Sequence, residues 1–186
     1  MNQAILLGII TLFISLPTEA QPTWKTTKSA VTFTIRNAGF NVDGSFSGFA
    51  GNLAFDPAAP DKAQLIATVE TATLNTDNSL RDGHLKKPDY FDAAAHPRIT
   101  LKSVQIAKKG ANEYVGTFNL TLKGVTRPVQ VPFTFVRNGT AGTFAGSFTI
   151  NRVDYGVGKK SFLLSNDVTI TLKIDVQPGA STVADR

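Results

Sequence analysis

"DVTITLKIDV", Asp167 to Val176, alternates without a slip: Val168, Ile170, Leu172, Ile174 and Val176 fall on one side, Thr169, Thr171, Lys173 and Asp175 on the other. A period of two is the signature of a strand with one apolar and one wet face. The same period runs through "VTFTIRN" (Val31–Asn37), "YVGTFNLTLKG" (Tyr114–Gly124) and "VQVPFTF" (Val129–Phe135). Further strand candidates are "GSFSGFAGNLAFD" from Gly44, "AQLIATVETATL" from Ala63, "RITLKSVQIA" from Arg98 and "GTFAGSFTINRV" from Gly142. Turn-rich stretches separate them: "DPAAPD", "KKGANE", "KGVTRP" and "RNGTAG", the last offering Asn138-Gly139 as a hairpin turn with positive φ. The pattern predicts an all-β domain of about eight antiparallel strands, with no alternating helices and no internal repeat.

A sheet of that size with one apolar face must stack as a sandwich or close as a barrel. Eight strands make the narrowest barrel that either fills itself with side chains or holds one small elongated ligand. Glycines within the strand candidates, Gly44, Gly48, Gly51, Gly142 and Gly146, fit barrel corners or close approach of a ligand, and fit simple bulges equally well. One segment breaks the period: "TDNSLRDGHLKKPDYFDAAAHP", residues 76–97. Asp77 or Asn78 can cap a short helix that Pro88 ends, and Leu80, Leu85, Tyr90 and Phe91 give the insert an apolar side able to roof one end of a barrel.

The 186 residues include no cysteine, so neither disulfides nor thiolate metal ligands are available. The opening "MNQAILLGIITLFISLPTEA" carries an apolar run from Ala4 to Leu16, too short to span a membrane, followed by Thr18 and Ala20 at signal-peptidase spacing. Residues 1–20 are therefore expected to be a cleaved signal peptide, leaving a domain of residues 21–186 that is periplasmic or secreted. Removing that segment, which holds one acidic residue and no basic one, changes the formal charge from +5 to +6. The lysines are scattered as pairs, without a basic helix or zinc-finger spacing, so nucleic acid is not an expected partner.

Both histidines, His84 and His96, lie in the insert. Twelve residues apart with Pro88 between them, they fall short of the three or four ligands that a zinc site needs, and no nucleophile elbow, phosphate loop or dinucleotide fingerprint occurs. The expected role of the insert is structural, with Arg81 and His84 bonding to Asp82, Asp89 or Asp92; no metal, cofactor or reaction is called for. Arg152, in "INRVDYG", has strand-like neighbours and needs a partner: a rim carboxylate such as Asp154, or an anionic headgroup gripped bidentately.

These stretches also carry a resemblance. "RDGHLKKPDYFDAAAHPRI", "GSFSGFAGNLAFDP", "GTFNLTLKGVTRPV" and "TINRVDYGVG" follow one another in an order that resembles the YceI-like polyisoprenoid-binding family, from about Trp24 to Val176. The resemblance implies an extended, eight-stranded antiparallel, lipocalin-like barrel whose apolar pore holds a long-chain isoprenoid or other amphiphilic lipid, without established catalysis. On that reading the pore wall is expected to include Phe33, Ile35, Phe118, Leu120, Phe133, Phe135, Phe148, Ile170 and Leu172, with Arg152 towards the headgroup. Many members of the family carry a histidine where the first strand ends; here the residue is Asn37. A barrel packed solid and acting as an envelope interaction module is the alternative, and a hydrolase built on His84 and His96 stands behind both. Whether two barrels associate, or a membrane partner delivers lipid, is open at this level.

Overall fold

The computed structural model describes residues 21–179; the expected signal segment lies outside them. The elements, in chain order, are β1 (Thr23–Asn37), β2 (Phe40–Phe46), β3 (Ala50–Ala54), β4 (Gln64–Glu70), α1 (Ser79–Leu85), β5 (Arg98–Lys108), β6 (Glu113–Leu122), β7 (Val125–Asn138), β8 (Ala141–Asn151) and β9 (Leu164–Pro178). Every neighbouring pair is antiparallel, and β1 pairs with β9 along nearly its whole length, which closes the sheet.

Nine strand segments fill eight positions. β2 and β3 keep a single register against β1, with Val31 opposite Phe46 and Trp24 opposite Leu53, so together they form one interrupted strand. The break falls at residues 47–49, where Gly48 takes φ +66° and a Cβ would strike the Glu70 side chain. The result is the expected eight-stranded antiparallel barrel with a short helical insert.

Inward residues follow the alternation, apart from a change of parity across the 47–49 break, between Phe46 and Leu53, and two bulges. Bulges in β1 between Thr26 and Lys28, and in β5 between Ser103 and Gln105, each reset which parity faces inward. Trp24 is therefore inward on even parity and Val31 and Phe33 on odd, while Val104 is left 62% exposed on the outer wall. Phe33 closes over its register partner Gly44: a Cβ there would lie 2.3 Å from the ring. At this position the strand glycine admits an aromatic ring into the interior.

The insert substitutes for a missing stretch of wall. Among the described residues no strand lies beside the outer edge of β2; Ser45 instead exchanges backbone bonds with Asn75 (2.8 and 3.0 Å). Asn78 caps α1, its side chain accepting from the Arg81 N–H at 3.0 Å. Buried Thr76 knots the segment together: its hydroxyl and N–H donate to Asp82 Oδ1, and Arg81 donates to its hydroxyl and carbonyl. These bonds stay within the insert; the Gly158 N–H, donating to the Asp89 carbonyl at 2.9 Å, and the inward packing of Leu85, Tyr90 and Phe91 hold it to the barrel, and among the described residues no bond from His84 to an aspartate takes part, unlike what the sequence suggested. Leu85, Tyr90 and Phe91 turn inward, whereas Leu80 is 86% exposed.

Candidate functional site: an apolar cavity open at one end

The two ends of the barrel are built differently. At one end Phe55, with no exposed surface, sits at the centre of Tyr114, Phe135 and Phe144, with ring centroids 5.1, 5.1 and 5.4 Å away. Trp24 stacks edge-on to Phe135 at 5.0 Å and donates its indole N–H to the Phe55 carbonyl at 2.8 Å. Edge-to-face pairs of this kind contribute about 0.5–1.5 kcal/mol each beyond their buried area, and together they stopper the barrel.

Above the stopper the interior is hollow. A cavity leaving ≈ 180 Å³ to the centres of water-sized molecules runs from the middle of the barrel to the insert. On that measure a single water needs only about 10–15 Å³, so the space suits an organic chain. Its wall is almost wholly apolar: Val31, Phe33, Ile35, Phe46, Leu120, Phe148, Ile150, Val168, Ile170 and Leu172 from the barrel, and Leu85, Tyr90 and Phe91 from the insert. Because Val168, Ile170 and Leu172 face this space, they remain only half-buried despite pointing inward. A smaller cavity of ≈ 70 Å³ lies between it and the stopper, and Phe49, Ala67, Leu101 and Leu172 line both. The larger one reaches the surface beside Asn37, an exposed residue of its wall.

Of the residues expected on the pore wall, Phe33, Ile35, Leu120, Phe148, Ile170, Leu172 and Arg152 line the larger cavity. Phe118 and Phe133 line the smaller one with Leu172. Phe135 lines neither, being packed in the stopper at 1% exposure. Val31 and Val168 share the parity of Phe33 and Ile170 and are legible from the same alternation. Phe49 is not, because it sits in the break between β2 and β3.

Arg152 is the most buried charge among the described residues, 3% exposed. Its Nε donates to the Ser165 carbonyl (2.8 Å), Nη1 to Val157 (2.7 Å), and Nη2 to Lys159 (2.9 Å) and Leu164 (3.4 Å). Its partners are carbonyl oxygens, not the carboxylate of Asp154 that the sequence favours; the Asp154 carbonyl instead accepts from Arg127. Burial holds the Arg152 guanidinium below its ordinary pKa, an effect that neighbouring Tyr90 opposes. The side chain stitches the 156–164 loop to the barrel while presenting one flank to the cavity.

The histidines do not converge on a reaction centre. His84 is exposed and lies against the Tyr90 ring at 5.0 Å, and His96 packs against Gly124 in the turn between β6 and β7. Among the described residues no three His, Asp or Glu side chains are grouped to hold a metal ion.

The chain and its barrel are similar to known proteins and structures. A UPF0312 protein of Pectobacterium atrosepticum is 30% identical over 152 residues, covering 78% of this chain and 79% of that protein. Another UPF0312 protein, from Azotobacter vinelandii, is 29% identical over 153 residues, covering 78% and 79%. The crystal structure of Burkholderia cenocepacia BcnA superposes with a TM-score of 0.76 at 28% identity, covering 79% of this chain and 95% of that one. A polyisoprenoid binding domain from Saccharophagus degradans shares the fold, with a TM-score of 0.65 at 15% identity over 87% of this chain and all of that one. The profile of the YceI-like domain matches residues 23–176, from the first strand of the barrel to the last, and the chain therefore belongs to that family.

Proposed function

We propose that this protein binds a long-chain isoprenoid or a similar amphiphilic lipid, with the tail in the larger cavity and the polar end at the surface beside Asn37. The proposal places it outside the cytoplasm after loss of residues 1–20 and assigns it no reaction of its own. The observation that carries the reading is the cavity: roomy, lined almost entirely by hydrocarbon, stoppered by aromatic rings at one end and open at the other. A wall with so little polar surface gives water few groups to bond and favours an apolar occupant. The polyisoprenoid binding domain of the same fold supports the choice of ligand class. A chain burying on the order of 500 Å² would gain roughly 12 kcal/mol at ~25 cal/mol/Å². Association and chain ordering take back about 4–15 kcal/mol, so useful affinity depends on a preformed cavity. Here the closed sheet supplies it.

The test is extraction of lipid from protein purified from its native envelope, identified by mass spectrometry, together with uptake of long-chain isoprenoid alcohols by delipidated protein. A stoichiometric long-chain amphiphile is expected. Empty protein that also takes up no long-chain amphiphile would overturn the reading in favour of an interaction module.

A further inference from the structure

Beside the open end of the cavity, two loop tips carry apolar side chains that nothing in the barrel covers. Phe40 follows the Ala38-Gly39 turn between β1 and β2 and is 75% exposed; Phe162 and Leu163, on the loop before β9, are fully exposed and 68% exposed. These tips are neighbours: Phe40 pairs with Asn37, Asn37 pairs with Leu164, and the Ala38 N–H donates to the Leu163 carbonyl at 2.8 Å. Exposed cations flank them, Arg36 on the hairpin and Lys159 and Lys160 on the loop. Of the carboxylates, Asp43 on β2 accepts a bond from Thr34, Asp167 lies beyond Asn37 on β9, and exposed Asp89 stands on the insert side, its carbonyl accepting from the Gly158 N–H at 2.9 Å, so the tips themselves carry only the cations. Within the turn that carries Phe162, Ser161 Oγ accepts from the Leu163 and Leu164 N–H groups, and Arg152 holds the Lys159 carbonyl before it.

We propose that these tips dock the open end of the barrel onto an anionic lipid surface, Phe40, Phe162 and Leu163 entering the interface and Arg36, Lys159 and Lys160 meeting the headgroups. Aromatic and aliphatic side chains ringed by basic ones are the composition that binds such interfaces. A protein partner fits less well. A specific protein contact needs roughly 1,000 Å² of complementary surface, whereas side chains protruding from two tips offer little flat area but can enter a fluid interface singly. Continuity with the cavity gives the docking a use. Asn37 and Leu164 line the cavity, and their chain neighbours carry the tips, so a docked barrel would present its opening to the bilayer. This inference rests on the lipid-binding reading for its purpose and on its own observations for the surface.

The experiment is vesicle flotation of the protein, in the same processed form for every variant, with phosphatidylcholine vesicles with or without phosphatidylglycerol. The parent is expected to float with the anionic vesicles and to be released by salt. Lys159→Gln with Lys160→Gln should weaken partitioning about fivefold per lysine, from ~1 kcal/mol per basic residue at an anionic surface. Phe162→Asp should weaken it by about tenfold or more, from the loss of a buried aromatic group. Val104→Asp, on the exposed outer wall, should leave it unchanged. Tip variants that float like the parent, or a parent indifferent to phosphatidylglycerol, would overturn the proposal. A parent that ignores vesicles but dimerises, with dimerisation lost in Phe162→Asp, would overturn it too and assign the tips to a second copy. Uptake of isoprenoid alcohol from a cyclodextrin carrier separates the two readings. Docking variants should keep uptake, and lost uptake with intact docking would count against the cavity alone.

Discussion

At the scale of single residues, buried polar groups set the sharpest expectations. Arg152→Met would leave the carbonyls of Val157, Lys159, Leu164 and Ser165 without their common donor. Each unpaired buried group costs about 1–3 kcal/mol, less where water can reach the loop, so a loss of about 2–4 kcal/mol is expected, with new protease cleavage in residues 156–164. Arg152→Lys should recover little, because one ammonium cannot span acceptors that a guanidinium fork reaches from three nitrogens. Urea unfolding and limited proteolysis decide this, and full stability in the lysine variant would refute the fork's role. Two tyrosines predict the alkaline limit. Burial raises the phenol pKa of Tyr114, with Asp56 adding to the effect. Burial likewise raises that of Tyr155, with Arg127 opposing and Asp154 adding. The folded state thus holds these protons more tightly than the unfolded chain, in which they leave near pH 10.0. The stabilising difference is complete below that pH and disappears as the pH rises towards the folded-state values. Unfolding free energy should accordingly fall above pH 10, and less steeply in Tyr114→Phe.

A single strand shows how the elements divide between packing and space. Along β9, Val168, Ile170 and Leu172 face the larger cavity and are half-buried, while Ile174, 5% exposed, meets only the smaller cavity and Val176, 1% exposed, enters the packed end. Truncation should therefore have a graded effect. Ile174→Ala should destabilise the empty protein by roughly 2–4 kcal/mol, because its side chain is packed in the core on every flank but the one that meets the smaller cavity. Leu172→Ala, losing contacts only on the side away from the cavity, should lose about 1 kcal/mol and weaken lipid uptake instead. Thr171→Lys on the outer face should stay within about 0.5 kcal/mol and leave uptake alone. Equal losses for Leu172→Ala and Ile174→Ala, with uptake untouched, would mean that the space at Leu172 is not used. The alternation alone makes the facing of this strand legible. It does not make the bulges legible: one extra residue near Thr27 or Val104 reverses the parity of everything beyond it, and nothing in the composition of either stretch marks the slip. The insert is legible as a break in period and as a roof, because Asn78, Pro88 and the apolar residues after it are local signals. Its internal knot through Thr76 is not, since an ordinary threonine gives no sign of being the shared partner of Arg81 and Asp82.

At the scale of the molecule, the period of two tells which side chains point inward but not how far along the axis each one sits. Strand stagger sets that depth, which is a property of the closed sheet. Phe133 and Phe135 are equivalent in the sequence pattern, yet Phe133 reaches the smaller cavity and Phe135 belongs to the stopper. The division into a hollow end and a packed end therefore emerges only when the sheet closes. It makes the length of lumen available to a ligand a testable quantity. Ala67 on β4 lies where the two cavities meet, sharing that position with Phe49, Leu101 and Leu172. Ala67→Phe would place a ring in space that already exists, so the strain of about 1–3 kcal/mol usual for overpacking should be largely avoided and the empty protein should remain folded. The larger cavity would keep its opening beside Asn37 and lose its continuation towards the stopper. With isoprenoid alcohols of increasing length, the variant should bind short chains as the parent does and lose affinity for chains long enough to pass Ala67. A uniform loss at every length would mean that the ring had disturbed the whole wall. Unchanged binding of the longest chains would mean that the tail never passes Ala67, which would confine the site to the larger cavity and make the rim, not the depth of the lumen, the part that selects the ligand.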